Sequence, residues 1–188
     1  MNLVFENIMG RRSVRDYSDK SIDNEILQKI VDAGNMAPTG SNVQPWRFVV
    51  VQSKEERNKL AELCLDRYKA WIKNAPIAFQ EMRKERDSKV ADPIYYGAPV
   101  YIFVIGTPGM TQANDCPMVC ENMMLAARSL EIGSCWVFFG QLALDDPYFQ
   151  KLLEIKEGEK VYGPILFGYP KDGFPSVPEK KKPVVKII

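Results

Sequence analysis

Residues 114–132 place apolar side chains on almost every face of the helix they predict: Val119, Cys120, Met123, Met124, Ala126, Ala127 and Leu130. A surface helix shows one apolar stripe, whereas a helix that is apolar nearly all round is buried. Gly133 is the expected stop. This helix must therefore lie at the centre of the fold. It is also more apolar than a monomer of 188 residues readily covers.

Four short runs supply something for it to pack on. They are Trp46 to Gln52 with Phe48-Val49-Val50-Val51, Pro99 to Gly106 with Val100 and Ile102 to Ile105, Ser134 to Gly140 with Trp136 to Phe139, and Val161 to Gly168. Continuous apolar runs of this length predict strands covered on both faces. Helical patterns lie between them. Phe5, Ile8 and Met9 predict a short amphipathic helix that stops at Gly10, and Asp23 is placed to cap a helix carrying Ile26, Leu27, Ile30 and Val31. Ser53-Lys54-Glu55-Glu56 is a capping box for a helix with Leu60, Leu63 and Cys64 inward. Asp146-Pro147 opens a helix to about Ile155. Residues 67–95 predict one or two short helices and a mobile connection. The order gives a mixed α+β fold in one domain, 1–188, with helices covering a sheet. The tail from Tyr169 is rich in proline and lysine and ends Val184-Val185-Lys186-Ile187-Ile188. It has no core of its own, and residues 168–188 read as an arm laid on something else, such as a partner's sheet edge.

Composition narrows the chemistry. A net charge of +1 gives no bulk field for nucleic acid or a membrane surface, so an anion site must be a local cluster. No apolar run reaches the roughly 20 residues of a membrane span, and the first residues lack a signal-peptide layout, so the chain reads as cytoplasmic. Histidine is absent, which removes Ser-His and Cys-His nucleophiles and His-ligated metal. Cys64, Cys116, Cys120 and Cys135 form no Cys-x-x-Cys pair and read as small buried thiols. Neither Gly-x-Gly-x-x-Gly nor a Walker pattern occurs.

Two stretches stand out. Arg11-Arg12-Ser13-Val14-Arg15 packs three guanidinium groups and a hydroxyl into five residues. Pro38-Thr39-Gly40-Ser41-Asn42-Val43-Gln44-Pro45-Trp46 is a polar loop entering a strand. Alone, the first is an ordinary solvated basic run and the second an ordinary turn. Together they suit a flavin nucleotide: cations for a phosphate dianion, and hydroxyl, amide and backbone donors for a ribityl chain and pyrimidine edge.

In residues and spacing this pair resembles the signature of the FMN-dependent nitroreductase family. Two further blocks extend the resemblance: Asp115-Cys116 through Glu121 to Ala127, closing Gly133-Ser134-Cys135-Trp136, and Glu179-Lys180-Lys181-Lys182-Pro183. The resemblance implies a mostly antiparallel central sheet flanked by helices, a C-terminal arm on the partner subunit, and a homodimer with FMN at its interface. Arg11, Arg12 and Ser13 would contact the phosphate and ribityl oxygens, and Arg15 the pyrimidine edge, where reduced flavin is negative. Pro38, Thr39, Ser41, Asn42 and Gln44 would reach the other subunit's flavin. Ser134, Cys135 and Trp136 would run close to the ring. Lys181 and Lys182 would supply a phosphate cation, with Lys180 one register away.

The implied activity is NAD(P)H-dependent: hydride passes through flavin N5 to a nitroaromatic, quinone or activated alkene in a ping-pong cycle. It needs no protein acid or base, so no catalytic side chain and no metal is assigned. Two alternatives stay open. One is reductive dehalogenation under a lid at 67–95, for which Glu81, Lys84, Lys89, Tyr95 and Tyr96 are available. The other is a flavin-binding redox sensor without turnover.

Overall fold

The computed structural model describes residues 2–188. Its elements run α1 (Leu3–Gly10), α2 (Asn24–Asn35), β1 (Trp46–Val51), α3 (Lys54–Lys73), α4 (Ile77–Asp87), β2 (Val100–Gly106), α5 (Gln112–Ser129), β3 (Gly133–Trp136), α6 (Pro147–Leu153) and β4 (Lys160–Gly168). The strands form one sheet in the order β1-β2-β4-β3, every neighbouring pair antiparallel.

All seven residues of β2 are buried, as a strand covered on both faces requires. Val100, Ile102 and Val104 face one core with Leu27 and Ile30 of α2 and Val119, Cys120 and Met123 of α5. Tyr101, Phe103 and Ile105 face a second core with Leu60 and Cys64 of α3 and Phe149 and Leu153 of α6. Each such aliphatic side chain contributes roughly 1.5–3 kcal/mol by leaving water. α5 is thus a central helix, packed on α2 and on three strands. Gly34 lets α2 approach it: a Cβ there would sit 2.5 Å from Met123 Cγ.

Several boundaries differ from expectation. The third strand ends at Trp136, not Gly140. The Val137 amide donates to the Pro164 carbonyl at 3.1 Å, and the chain then coils into a short 3-10 turn at Phe139–Gln141. α5 stops at Ser129, with Leu130 as its cap rather than Gly133. α6 stops at Leu153, where Glu154 turns left-handed. Asp23 holds the N-cap position of α2 without a side-chain cap, its backbone carbonyl taking the Ile26 and Leu27 amides. The Ser53 hydroxyl does cap α3, accepting from the Glu56 amide at 3.4 Å.

Residues 67–95 are more ordered than their composition suggests. α3 runs on to Lys73 and α4 follows. Arg83, 3% exposed, fastens α4 from inside. It donates to the Tyr68 hydroxyl at 2.6 Å and the Pro93 carbonyl at 3.0 Å, and pairs with Asp87 at 2.9 Å. Burial and the Tyr68–Asp87 hydrogen bond push the Tyr68 phenol up to about 12.

α1 buries none of its residues. Leu3, Val4, Phe5, Ile8 and Met9 are exposed, as are Val184, Val185, Ile187 and Ile188 at the other end of the chain.

Candidate flavin site

The basic segment is held on both sides. The Val14 amide donates to the Ser134 carbonyl at 2.9 Å, laying residues 13–14 parallel to the free edge of β3. On the other flank Ser18 N donates to Tyr169 O at 2.9 Å, and Lys171 N to Asp16 O at 3.2 Å. Tyr17 closes the turn, its hydroxyl donating to Val14 O at 2.7 Å. Val14 is buried, so the side chains on either side of it must reach out of the core.

Arg11, Arg12 and Ser13 line one depression of about 290 Å³ with Ile8, Met9 and, from the tail, Val177, Pro178 and Lys180. Arg11 pairs with Glu121 at 3.2 Å. Arg12 donates to the carbonyls of Arg11 and Met9, the latter at 2.6 Å, while its Nε is buried with no hydrogen-bond partner. A guanidinium N–H left unpaired out of water is costly, so a site with an oxyanion in reach fits this cluster. Two guanidinium-bearing residues, a hydroxyl and a lysine match the donors a phosphate monoester needs. Lys180 is the tail lysine that reaches the depression. Lys181 and Lys182 are exposed beyond it.

Arg15 stands apart from that depression. Its guanidinium lies 5.9 Å from the ring centroid of Tyr96, and Arg86 lies 5.4 Å from the same centroid while donating to the Tyr96 hydroxyl at 2.8 Å. Sequence reasoning left Arg86 out. It sits in the last turn of α4, among charges with no distinguishing spacing. Cys135 lies beneath: burial pushes its thiol up, while Arg15, Arg86, the Ser13 hydroxyl and Arg11 pull it down. Ser134 is buried with its backbone committed to Val14, and Trp136 is half-buried against the α2–α5 core.

The second stretch sits elsewhere. Thr39 donates to Asp115 Oδ2 at 2.8 Å, at the N-terminal turn of α5. The basic segment meets the other end of that helix, where Arg128 Nε donates to Gly10 O at 3.3 Å. From Asp115 to Arg128 the helix advances roughly 20 Å. Among the described residues no hydrogen bond or ion pair joins the two stretches. Ser41, Asn42 and Gln44 are exposed and lie in left-handed conformations, φ 51°, 56° and 47°. Pro38 is exposed and Thr39 half-buried.

The five residues available for a substrate lid do not all converge. Lys89 pairs with Glu85 at 2.9 Å, and Tyr95 is buried with its hydroxyl on Gly140 O at 2.9 Å. Glu81 and Lys84 are exposed. Of the five, Tyr96 and Lys89 line one depression with Arg15.

An antiparallel sheet between two helical layers, with a cationic segment on its edge strand, defines an α+β protein with a candidate anion site at the sheet edge. The model of the nitroreductase family matches residues 8–169, and the chain belongs to that family. A protein of Archaeoglobus fulgidus provisionally assigned as an NADH dehydrogenase/NAD(P)H nitroreductase is 34% identical over 175 residues, 92% of this chain and 88% of its own. The crystal structure of a Bacteroides fragilis nitroreductase with bound FMN is 32% identical and covers all of both chains with a TM-score of 0.79. An iodotyrosine deiodinase of Thermotoga neapolitana is 23% identical over 184 residues, 96% of each chain.

Proposed function

We infer that this protein is an FMN-dependent oxidoreductase that takes reducing equivalents from NAD(P)H. It delivers them in a ping-pong cycle to a small electron-poor acceptor: a nitroaromatic, a quinone or an activated alkene. The observation that carries the reading is the depression lined by Arg11, Arg12, Ser13 and Lys180, with the Arg12 Nε buried and unpaired. When bound, FMN supplies the hydride chemistry, and the chain supplies binding, orientation and charge.

Arg11, Arg12 and Ser13 hold the phosphate, helped by Lys180 of the tail. Arg15 keeps a fixed positive charge where the reduced ring becomes negative, which lowers the cost of reduction. Ser41, Asn42 and Gln44 present their donors to the flavin of a second subunit, because their own basic segment is at the far end of α5. The unit is therefore a homodimer, and the exposed apolar faces of α1 and the tail supply surface for it. The chain has no histidine to act as a proton donor near neutral pH, so the chemistry rests on positioning and electrostatics.

The test is direct. Purified protein should be yellow and release FMN, not FAD, on denaturation. Steady-state oxidation of NADH or NADPH with a generic quinone should give parallel double-reciprocal lines. Colourless protein that takes up no FMN defeats the reading, and intersecting lines defeat the ping-pong order. Likeness to the Thermotoga deiodinase favours a second reading, reductive dehalogenation. The exposed positions of Glu81 and Lys84 and the burial of Tyr95 weigh against it. Reduced protein mixed with iodotyrosine should release no iodide.

A further inference from the structure

Asp115 is 3% exposed, yet none of the cations assigned to the flavin touches it. Its carboxylate instead gathers donors from the loop before β1 and from the start of α5. Oδ2 accepts from the Thr111 hydroxyl at 2.7 Å and the Thr39 hydroxyl at 2.8 Å, and these donors, with the nearby Gly40 amide, hold the carboxyl below its usual value. The Thr39 oxygen also accepts from the Gln44 amide at 3.3 Å. A hydroxyl has one proton and two lone pairs. An ionised carboxylate can only accept, so it fixes the Thr39 proton toward Asp115 and leaves a lone pair for Gln44. The Gln44 carbonyl in turn takes the Trp46 amide at 2.8 Å, which ties the loop to the first residue of β1.

The loop needs such a tether. Ser41, Asn42 and Gln44 all hold positive φ without being glycine, a costly conformation that persists only where the surroundings over-determine it. Their side chains are exposed, and among the described residues the only hydrogen bond a side chain of theirs donates or accepts is Gln44 Nε2 to Asn42 O at 3.2 Å. The anchored residue and the presented residues are therefore different sets.

We propose that Asp115 is the positioning residue of the flavin-facing loop, acting through the Thr39 hydroxyl to hold Ser41, Asn42 and Gln44 in their strained, outward conformation. Thr39 is then an anchor whose hydroxyl proton is already committed, not a donor to the flavin. The proposal rests on the reading that this loop serves FMN, and it gives Asp115 a role without contact with the cofactor.

The test compares full-length wild type with Thr39→Val, Thr39→Ser, Asp115→Asn and the Thr39→Val/Asp115→Asn double variant. FMN affinity is read by quenching of flavin fluorescence, and amide exchange at Gln44 is read on FMN-free protein. Thr39→Val and Asp115→Asn should each weaken FMN about tenfold and speed Gln44 exchange by a similar factor. Thr39→Ser should restore both, and the double variant should be no weaker than the weaker single one, because both break one connection. Wild-type affinity in Thr39→Val, or Thr39→Ser as weak as Thr39→Val, overturns the proposal. If Asp115→Asn does not fold, the Thr39 pair decides. If wild type takes no FMN, the flavin reading fails, and unchanged Gln44 exchange in Thr39→Val still overturns the anchor by itself.

Discussion

Val14 donates its amide to the carbonyl of Ser134 at 2.9 Å, and that one bond sets the direction in which three arginines leave the sheet edge. Val14 is buried and Ser134 is an edge-strand residue, so the contact fixes the backbone from which Arg11 and Arg12 reach one depression and Arg15 another.

Gly133 makes this contact close. A Cβ on Gly133 would meet the Val14 side chain at 2.7–2.9 Å. Gly133→Ala should push Val14 off β3, destabilise the fold by about 1–3 kcal/mol and lower FMN affinity with it. Chemical denaturation and flavin titration on the same preparation check both.

Arg15→Ala should weaken FMN about tenfold or more and lower the flavin midpoint potential, since charge-assisted contacts are worth roughly 1.5–3 kcal/mol. Unchanged affinity and unchanged potential would place Arg15 outside the site.

Much of this was legible in the residues. The run Val100 to Ile105 announces a strand covered on both faces, and the apolar residues of 114–132 announce the central helix. The spacing of Arg11–Arg15 and Pro38–Trp46 carried the cofactor reading. The strand expected over Ser134–Gly140 was too long because Val137 and Phe138 are apolar whether they extend a strand or enter a 3-10 turn. Arg83 was invisible for a different reason: in a charge-rich helix nothing local marks the one arginine that tertiary contacts bury. Asp115 belonged to a matched block, but its bond to Thr39 spans 76 residues and no local pattern encodes it.

Arg83→Ala should cost about 3 kcal/mol, because it leaves Asp87 with the Tyr68 hydroxyl as its remaining partner and takes the donor from the Tyr68 oxygen and the Pro93 carbonyl. A urea midpoint measured beside wild type reads the loss.

Glu159 gives the acid limb of stability a specific contributor. Its hydrogen bonds from Arg47, at 3.0 and 2.7 Å, hold its carboxyl below the usual value, more than offsetting the upward push of burial. A depressed folded pKa means that the stabilisation is complete above the ordinary glutamate value. It is lost as pH falls through the folded one. Glu159→Gln should therefore lower stability at neutral pH and flatten its decline below about pH 4.5, read from melting temperature against pH.

Cys64, Cys116, Cys120 and Cys135 are free and buried, and burial raises every one of these thiols, Cys116 to about 11. Native protein should show no reaction with Ellman's reagent at pH 8, and unfolded protein should show four thiols. Rapid labelling of the native state would revive the sensor reading.

The shared flavin site is tested most directly by complementation between two inactive variants. One carries Arg11→Ala, Arg12→Ala and Arg15→Ala; the other carries Ser41→Ala, Asn42→Ala and Gln44→Ala. Each homodimer alone should hold little FMN. Co-expressed, half the dimers are mixed, and each mixed dimer has one site with an intact basic segment from one chain and an intact loop from the other. FMN should return to about one quarter of the protomers, together with NAD(P)H oxidation in that fraction. No recovery in verified mixed dimers would mean that each chain builds its flavin site alone, and would contradict the two-chain site.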